Sequence, residues 1–355
     1  MTANIGIIGF GFAGREMHYT TLSQHLQGLA RVVAVCDQRE IDPLDGVTGY
    51  TDLDAFLAHP GLDVVHVTVP SGMHGGMVVA AARAGKHVIC DKPLETSLSV
   101  IDEVLGVCEE NGVNLGVVYQ QRFNPHFRKL KEVVEQGLLG KIQSAFVNLE
   151  LFREPSYYHQ SWHGTLALDG GGALMNQAVH YVDLLQWIIG SPLKTIERGS
   201  AERRYHKSIE AEDYGHGKIT FENGAAAEIS AGTCYENPKT DRFCINGAKG
   251  LVVIDDAVVK QAHWDGCSHV SMFPAERARN VVHDSPRVPI TNHIAYFRAM
   301  YEALARGDPF PVPGSEGRKA VEIILGIYRA SELGGRVRVP FDPSYHPSPA
   351  YVQTT

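Results

Sequence analysis

The stretch Ile5-Gly6-Ile7-Ile8-Gly9-Phe10-Gly11-Phe12-Ala13-Gly14 opens the chain with an apolar run that leads into three spaced glycines. A short buried strand, a glycine turn and a following helix, here expected over residues 15–29, form a dinucleotide-binding fingerprint. Gly9 is expected to make the tight turn, Gly11 to let the backbone approach a pyrophosphate, and Gly14 to bring the helix against the strand. The phosphates are then expected at the positive end of the helix, where backbone N–H groups are unpaired.

A second β-branched run, residues 30–36, ends at Asp37, which lies 23 residues beyond Gly14 and so close to the spacing expected of such a fingerprint. A carboxylate at this spacing is expected to accept hydrogen bonds from the adenosine ribose and to repel the 2′-phosphate of NADP. The sequence therefore favours NAD. NADP stays possible because Gln38 and Arg39 follow, and an arginine can hold a 2′-phosphate. The alternative interpretation of Asp37 is an aspartate that only initiates a turn after the strand.

The composition is typical of a globular protein with two domains. The 355 residues are too many for one ordinary core, and 44% of them are apolar and 20% charged. The formal net charge of −8 argues against a nucleic-acid or anionic-membrane partner. No run approaches the roughly 20 apolar residues that span a bilayer, and the N-terminus has no basic segment, so a cytoplasmic location is expected. The six cysteines form no CxxC pair, so neither a metal site nor a disulfide framework is expected.

Short apolar runs alternate with helical patterns as far as residue 122, which predicts a doubly wound parallel sheet. Ligands of such sheets bind at the carboxyl ends of the strands. Beyond residue 122, hairpin signals such as Asn223-Gly224 predict an α+β domain with a large, open, mostly antiparallel sheet. We therefore expect a Rossmann domain over residues 1–122 and a substrate and oligomerisation domain over residues 123–355. Residues 265–285 are expected to form a loop, and residues 341–355 an extended or frayed arm.

Two polar positions could carry chemistry. Lys92 stands at a predicted strand end before Pro93, where it could hydrogen-bond a substrate hydroxyl; the alternative is a surface lysine. His180 lies on a predicted helix one turn after Asn176 and one turn before Asp183, as expected of a general base oriented by a carboxylate. The alternative is a partly buried histidine whose only partner is that carboxylate.

An aromatic cluster precedes the glycine loop of residues 170–172 and contains Tyr157, Trp162 and His163. Such rings can form the wall of a sugar pocket, or they can anchor a loop to the core. The histidines form neither an HxH nor an HExxH arrangement, so no metal is expected.

The chain resembles the Gfo/Idh/MocA family, the group of glucose–fructose oxidoreductase and inositol dehydrogenase. The resemblance rests on the segments 9–14, 69–74, 84–93 and 170–183 and on Glu212-Asp213. It implies an N-terminal Rossmann domain and a C-terminal domain whose open sheet commonly forms a homodimer or homotetramer interface.

The family's catalytic lysine and histidine correspond to Lys92 and His180. Asn176 stands where inositol-dehydrogenase-like members carry an aspartate, so it is expected to bind a substrate hydroxyl rather than relay a proton. Asp91 replaces the family's glutamate, and His163 replaces an arginine that is common in the family. The expected cofactor-binding residues are Gly9, Gly11, Phe12, Ala13, Gly14, Asp37, Gln38, Arg39, Pro70, Ser71, His74, Asp91, Lys92 and Gln120. The expected substrate-binding residues are Lys92, Arg122, Tyr157, Trp162, His163, Asn176 and His180.

The resemblance implies an NAD(P)-dependent oxidoreductase that acts on a secondary hydroxyl of a sugar, a cyclitol or a sugar derivative. Two alternatives remain open on the sequence. One is a glycosidase that holds NAD and uses transient oxidation to drive elimination. The other is a regulatory protein that binds the nucleotide without turnover, because kinship of fold does not by itself imply activity.

Overall fold

The computed structural model describes residues 2–159, 161–237, 241–275 and 290–354. These residues form two compact units: the first holds residues 2–95, 99–123 and 290–318, and the second holds residues 96–98, 124–275 and 319–354. Because the units interleave along the chain, the simpler division at residue 122 stays a prediction. No helix within the described ranges is long and apolar enough to cross a bilayer.

The first unit is built on a parallel sheet. Its strands are β1 (Ala3–Ile8), β2 (Ala30–Cys36), β3 (Thr48–Tyr50), β4 (Val64–Val67), β5 (His87–Cys90) and β6 (Leu115–Val117). The helices between them are α1 (Thr20–His25), α2 (Leu53–Leu57), α3 (His74–Arg83) and α4 (Leu98–Glu110). The strand order is β3-β2-β1-β4-β5-β6 and every neighbouring pair is parallel. The doubly wound sheet is confirmed, and the wholly buried β4 shows the near-continuous burial that such sheets require.

The helix after the glycine turn differs from the expected one. It begins as a π-helix over Ala13–Tyr19, continues as α1 and ends at His25, so the prediction over residues 15–29 is wrong at both ends. Leu26 leaves the helical conformation at φ −123°, and Gly28 turns the chain into β2 at φ +89°. Apolar periodicity cannot reveal the wider π-turn, because a single turn changes the spacing by less than one residue.

The second unit is built on a mixed sheet. The α-helices and β-strands from residue 125 onward are, in chain order, α5 (Pro125–Glu135), β7 (Ile142–Glu150), α6 (Pro155–Tyr158), α7 (Val179–Ile189), β8 (Leu193–Arg203), β9 (Tyr214–Phe221), β10 (Ala226–Gly232), β11 (Arg242–Gly247), β12 (Gly250–Asp255), β13 (Val258–Trp264), β14 (Cys267–Ser268), α8 (Thr291–Arg306), α9 (Gly314–Leu333), β15 (Val337–Arg338) and β16 (Gln353–Thr354). Helix α8 packs within the first unit.

The strand order of this sheet is β14-β13-β12-β11-β7-β10-β9-β8-β15, and β16 pairs with β8. The β7–β10 and β8–β16 pairs are parallel and the others are antiparallel. The mostly antiparallel open sheet is therefore confirmed. Asn223 and Gly224 form the expected hairpin turn between β9 and β10, with Gly224 at φ +87°. Burial alternates along β9, because only one face of that strand packs on the core.

The C-terminal tail is packed at its end, so the frayed alternative of that expectation is wrong. A 3₁₀ turn over Pro349–Tyr351 places the side chain of Tyr351 in full burial, and Gln353–Thr354 then joins the sheet as β16. The Tyr351 hydroxyl donates a hydrogen bond to Glu212 Oε2 at 2.7 Å. The composition of a proline-rich segment predicts an arm. It does not reveal that a single residue, Tyr351, is buried and anchors the tail. Of the expected loop 265–285, residues 276–285 lie outside the described residues.

Replacing Tyr351 with phenylalanine is expected to lower the free energy of unfolding by about 1–3 kcal/mol, because it removes a donor from a buried carboxylate. Urea denaturation checks this expectation. Tyr205→Phe is the control: its ring is 42% exposed, so a change of less than about 0.5 kcal/mol is expected. Equal effects of the two substitutions would contradict the anchoring role of the tail.

Two histidines, one on the π-helix after the glycine turn and one on β4, are fully buried in the first unit. His18 Nδ1 lies 2.7 Å from His66 Nδ1, and His66 Nε2 lies 2.5 Å from the Tyr301 hydroxyl. His18 Nε2 lies 3.9 Å from Asp91 Oδ2. Burial lowers the pKa of His18 from 6.5 to about 4, and it lowers the pKa of His66 well below 6.5. Both imidazoles are therefore neutral at neutral pH.

Between pH 6.5 and about 4, such a histidine binds a proton in the unfolded chain but not in the folded one. The folded state therefore has its full stability above pH 6.5 and loses stability as the pH falls toward about 4. The wild-type free energy of unfolding is expected to fall in this window by up to about 1.4 kcal/mol per pH unit for each such histidine. His18→Gln keeps a neutral polar side chain and is expected to flatten this slope. Urea denaturation across the window measures it, with His25→Gln, a less buried histidine, as the control. An unchanged slope in His18→Gln would contradict the account.

Candidate functional site

The glycine turn has the geometry that the fingerprint requires. Gly9 has φ +86°, and a β-carbon at Gly14 would lie 2.1 Å from the Gly9 carbonyl oxygen. A β-carbon at Gly11 would meet nothing within 4 Å. Gly9 and Gly14 are thus required by the fold itself, whereas Gly11 borders open space. Phe12 follows with 55% of its surface exposed, and the π-helix begins at Ala13.

Asp37 is held beside this turn by the backbone. It follows β2, and its Oδ2 accepts a hydrogen bond from the N–H of Phe10 at 2.7 Å. Its Oδ1 accepts from the N–H of Arg39 at 3.1 Å. The carboxylate is only partly buried, and Gln38 and Arg39 are exposed beside it. The structure therefore brings the expected phosphate-binding and ribose-binding residues together.

Other expected cofactor residues lie at the same carboxyl edge of the parallel sheet. Pro70 and Ser71 follow β4, Asp91 and Lys92 follow β5, and Gln120 follows β6. The side-chain oxygen of Gln120 is buried and has no hydrogen-bond partner among the described residues. An orphaned buried acceptor fits a ligand donor, so this edge suits a dinucleotide.

Two expected site residues have internal partners. The ring nitrogens of His74 lie 2.8 Å from the carbonyl oxygens of Val69 and Pro93, so this buried histidine braces the loops that follow β4 and β5. Arg122 is also buried, and its Nη2 donates to Glu316 at 2.8 Å. Direct contacts of His74 with cofactor and of Arg122 with substrate stay predictions.

Lys92 immediately follows Asp91 at the end of β5. Its backbone N–H donates to Asp91 Oδ1 at 2.8 Å, and its side chain is partly buried. Asp91 therefore orients the main chain at the lysine.

In the second unit, the triple-glycine loop is organised by a buried carboxylate that was not assigned a role from the sequence. Glu212 accepts hydrogen bonds from the N–H groups of Gly172 and Leu174 at 2.9 and 2.8 Å. It also accepts from the hydroxyls of Tyr328 and Tyr351 at 2.9 and 2.7 Å. Burial raises the pKa of this carboxyl group. Glu212 thus holds the start of the helical segment that carries Asn176 and His180.

This segment begins as a π-helix over Ala173–Ala178 and continues as α7. Asn176 and His180 are both partly exposed on it, whereas Asp183 is buried. Asp183 Oδ1 accepts a hydrogen bond from the Gln186 side chain at 3.3 Å. The orientation of His180 by Asp183 stays a prediction.

Asn176 is part of a hydrogen-bonded chain. Its Nδ2 donates to Asp169 Oδ1 at 2.6 Å, and its Oδ1 accepts from Gln177 Nε2 at 2.7 Å. Gln177 Oε1 in turn accepts from Arg153 at 2.7 Å, and Asp169 Oδ2 accepts from the N–H of Gly164 at 2.8 Å. None of these partners was assigned from the sequence, and the contact between Arg153 and Gln177 joins residues 24 positions apart.

The expected aromatic cluster does assemble. The rings of Trp162 and His163 stack with their centroids 4.0 Å apart, and those of Tyr157 and His163 lie 4.1 Å apart. Tyr157 and Tyr158 line a narrow cleft together with Asp169, Gly172, Asn176 and Gln177. Burial raises the pKa of Tyr158 to about 12 and also raises the pKa of Tyr157, so both hydroxyls remain protonated donors at neutral pH.

Two family models match the chain. Residues 3–119 match the oxidoreductase family with an NAD-binding Rossmann fold, and residues 127–253 match the GFO/IDH/MocA C-terminal domain. Together with the glycine turn and the lysine on the same sheet edge, these matches define an NAD(P)-binding oxidoreductase. More narrowly, the chain belongs to the Gfo/Idh/MocA family.

Named relatives extend over most of the chain. Myo-inositol 2-dehydrogenase of Thermotoga maritima is 24% identical, with 93% of this chain and 96% of the relative covered. D-xylose 1-dehydrogenase (NADP⁺) 2 of Haloferax volcanii is 25% identical, with 95% and 98% covered. The crystal structure of the WlbA dehydrogenase from Bordetella pertussis, in complex with NADH and UDP-GlcNAcA, has a TM-score of 0.83 at 26% identity and covers 96% of this chain and 99% of that one.

The two kinds of glycine in the turn predict different failures. Gly11→Ala is expected to keep its free energy of unfolding within about 0.5 kcal/mol of wild type, because the methyl group enters only open space. It is expected to bind NADH at least ten-fold more weakly, because that space is where the pyrophosphate is expected to lie. Gly14→Ala is expected to lose folding stability, because its β-carbon would overlap the Gly9 carbonyl. Fluorescence titration with NADH and urea denaturation give the two readouts. Unchanged NADH binding in Gly11→Ala would contradict this assignment of the pyrophosphate site.

Proposed function

We propose that the chain is an NAD-dependent dehydrogenase that oxidises a secondary hydroxyl of a sugar, a cyclitol or a sugar derivative. The observation that carries the proposal is the placement of Lys92 two residues after the end of β5, on the sheet edge where Gly11 borders open space. A lysine at this edge can donate hydrogen bonds to a substrate hydroxyl close to the redox cofactor. The substrate classes in the names of the relatives support the choice of a hydroxyl on a sugar or cyclitol.

We assign the proton of the substrate hydroxyl to His180, with Lys92 as the hydrogen-bonding partner that stabilises charge on the same oxygen. When bound, NAD supplies the acceptor for the hydride that leaves the substrate carbon. The hydroxyl proton and the hydride together account for the two electrons and two hydrogens lost when the alcohol becomes a carbonyl. Asn176 binds a neighbouring hydroxyl through its amide, and it orients the ring without moving a proton.

We assign recognition of the substrate ring to Tyr157, Trp162 and His163. Stacked rings can pack against the C–H faces of a sugar, and their polar tips can hydrogen-bond its hydroxyls. The relatives are named for free sugars and cyclitols, and the related solved structure contains a nucleotide-sugar acid.

The preference for NAD rests on Asp37. Its carboxylate lies beside the glycine turn through its bond to Phe10, where a 2′-phosphate would meet a negative charge. Arg39 is exposed next to it and is the residue that keeps NADP a possible ligand. We further propose that the C-terminal sheet mediates a homodimer or homotetramer, and that the protein is cytoplasmic.

The assignment of Lys92 and His180 is tested by Lys92→Met and His180→Gln. Each is expected to lower kcat by 10²–10⁴-fold, the usual contribution of general acid–base groups. The assay is NADH formation with myo-inositol, D-xylose and UDP-GlcNAcA as substrates. Losses below about ten-fold in both variants would contradict the assignment.

Two controls match these variants in side-chain chemistry. Lys86→Met removes a lysine at the opposite end of β5, and His263→Gln removes an exposed histidine on β13. Both are expected to leave kcat within about two-fold of wild type, because neither residue lies at the carboxyl edge of the parallel sheet or on the helical segment of the second unit.

The same assay distinguishes the alternatives when a simple glycoside is added to the panel. A dehydrogenase forms NADH and the oxidised sugar in equal amounts, whereas an NAD-dependent glycosidase cleaves a glycoside with no net NADH. Binding of NAD with no turnover of any substrate in the panel would support a regulatory protein instead.

A further inference from the structure

The strongest feature outside the assigned catalytic groups is the hydrogen-bonded chain that ends at Asp169. Its donors all point the same way: Arg153 donates to Gln177, Gln177 donates to Asn176, and Asn176 donates to Asp169. Asp169 is buried, and its second oxygen is occupied by the N–H of Gly164. The chain therefore runs from a guanidinium group, which can only donate, to a carboxylate, which accepts at both oxygens.

A chain with such ends determines the orientation of each amide within it. If the Asn176 amide flipped, its NH₂ would face the NH₂ of Gln177, and its oxygen would face the carboxylate of Asp169. If Gln177 flipped, its NH₂ would face Arg153. Each flip replaces a hydrogen bond by two opposed donors or two opposed acceptors, so one orientation is strongly preferred.

We propose that Asp169 is a positioning residue that selects the substrate hydroxyl through Asn176. By accepting from Asn176 Nδ2, Asp169 determines which amide atom faces each side of the narrow cleft. By accepting from Gly164 N–H, it also ties down the loop that follows Trp162 and His163. The proposal rests on the proposed dehydrogenase function. It places the carboxylate beside the substrate-binding amide at position 169 rather than at position 176.

A single substitution of Asp169 or of Asn176 is expected to break the hydrogen-bonded chain. Asn176→Asp places a second carboxylate where Asn176 Nδ2 now lies 2.6 Å from Asp169 Oδ1, so the two carboxylates repel unless they share a proton. Asp169→Asn can still accept from Gly164 through its oxygen, but its NH₂ then faces the NH₂ of Asn176. Both variants keep the volume of the side chain, so the expected loss arises from polarity and not from a cavity.

The double exchange Asp169→Asn with Asn176→Asp restores the hydrogen bonds of positions 169 and 176 with each other, with Gly164 and with Gln177. The new amide at position 169 accepts from Gly164 and donates to position 176, and the new carboxylate at position 176 accepts from both position 169 and Gln177. The charge then moves to position 176, four residues before His180 on the helical segment. A carboxylate there favours the protonated form of a nearby histidine.

The experiment compares wild type, both single variants and the double variant in kcat/KM, in the pH profile of kcat/KM and in the urea midpoint of unfolding. Each single variant is expected to lose at least 30-fold in kcat/KM. The double variant is expected to recover to within about ten-fold of wild type, with the acidic limb of its pH profile shifted to higher pH. Asn223→Asp is the matched control, because Asn223 uses only its side-chain oxygen, toward the N–H of Ala225, and an aspartate can do the same.

Additive losses in the double variant would overturn the proposal, as would single variants that retain wild-type kcat/KM. A double variant that recovers its unfolding midpoint but not its kcat/KM would reduce Asp169 to a structural residue and would also overturn it. If wild type turns over no substrate in the panel, the proposed function fails by itself. The unfolding midpoints then still test the hydrogen-bonded chain, because the midpoint changes of coupled residues are non-additive and those of independent residues are additive.

Discussion

A β-carbon at Gly14 would lie 2.1 Å from the carbonyl oxygen of Gly9, so the chain can make its first turn only with glycine at that position. This steric constraint brings the first helix against β1 and leaves the backbone at Gly11 next to open space. Asp37 then reaches the turn through its bond to Phe10, so the strand ends β1 and β2 are joined at one edge. Because all neighbouring strands are parallel, the residues after β4, β5 and β6 reach that same edge, and Lys92 is among them.

In the second unit, a buried carboxylate holds the glycine-rich segment in place. Glu212 gathers two backbone N–H groups of the triple-glycine segment and two tyrosine hydroxyls, one of them from the C-terminal tail. A β-carbon at Gly172 would lie 1.7 Å from the Glu212 carbonyl oxygen, so this glycine is required for the approach. Both the fingerprint helix and the segment with Asn176 begin as π-helices, a form that is frequent at functional sites. The fold therefore keeps glycine-dependent geometry at the two places to which we assign function.

Features that depend on local sequence could be predicted. The glycine turn, the hairpin at Asn223-Gly224 and the alternation of strands and helices all follow from residues that are close along the chain, and the structure contains them. Features that depend on distant contacts could not. The contacts of His74 with Pro93, of Arg122 with Glu316, of Tyr351 with Glu212 and of Arg153 with Gln177 each join residues at least 19 positions apart, whose proximity only the tertiary structure reveals. The π-helices were missed for a different reason, since one wide turn barely alters the apolar spacing.

The central claim is that a hydride leaves a secondary carbinol carbon of a sugar or cyclitol and is transferred to NAD. The most direct measurement uses the three substrates of the panel with deuterium on their carbinol carbons and determines the mass of the NADH that forms. The account predicts that NADH formed from a turned-over substrate carries one deuterium, and that none is lost to solvent. NADH without deuterium, or deuterium released into water, would contradict it.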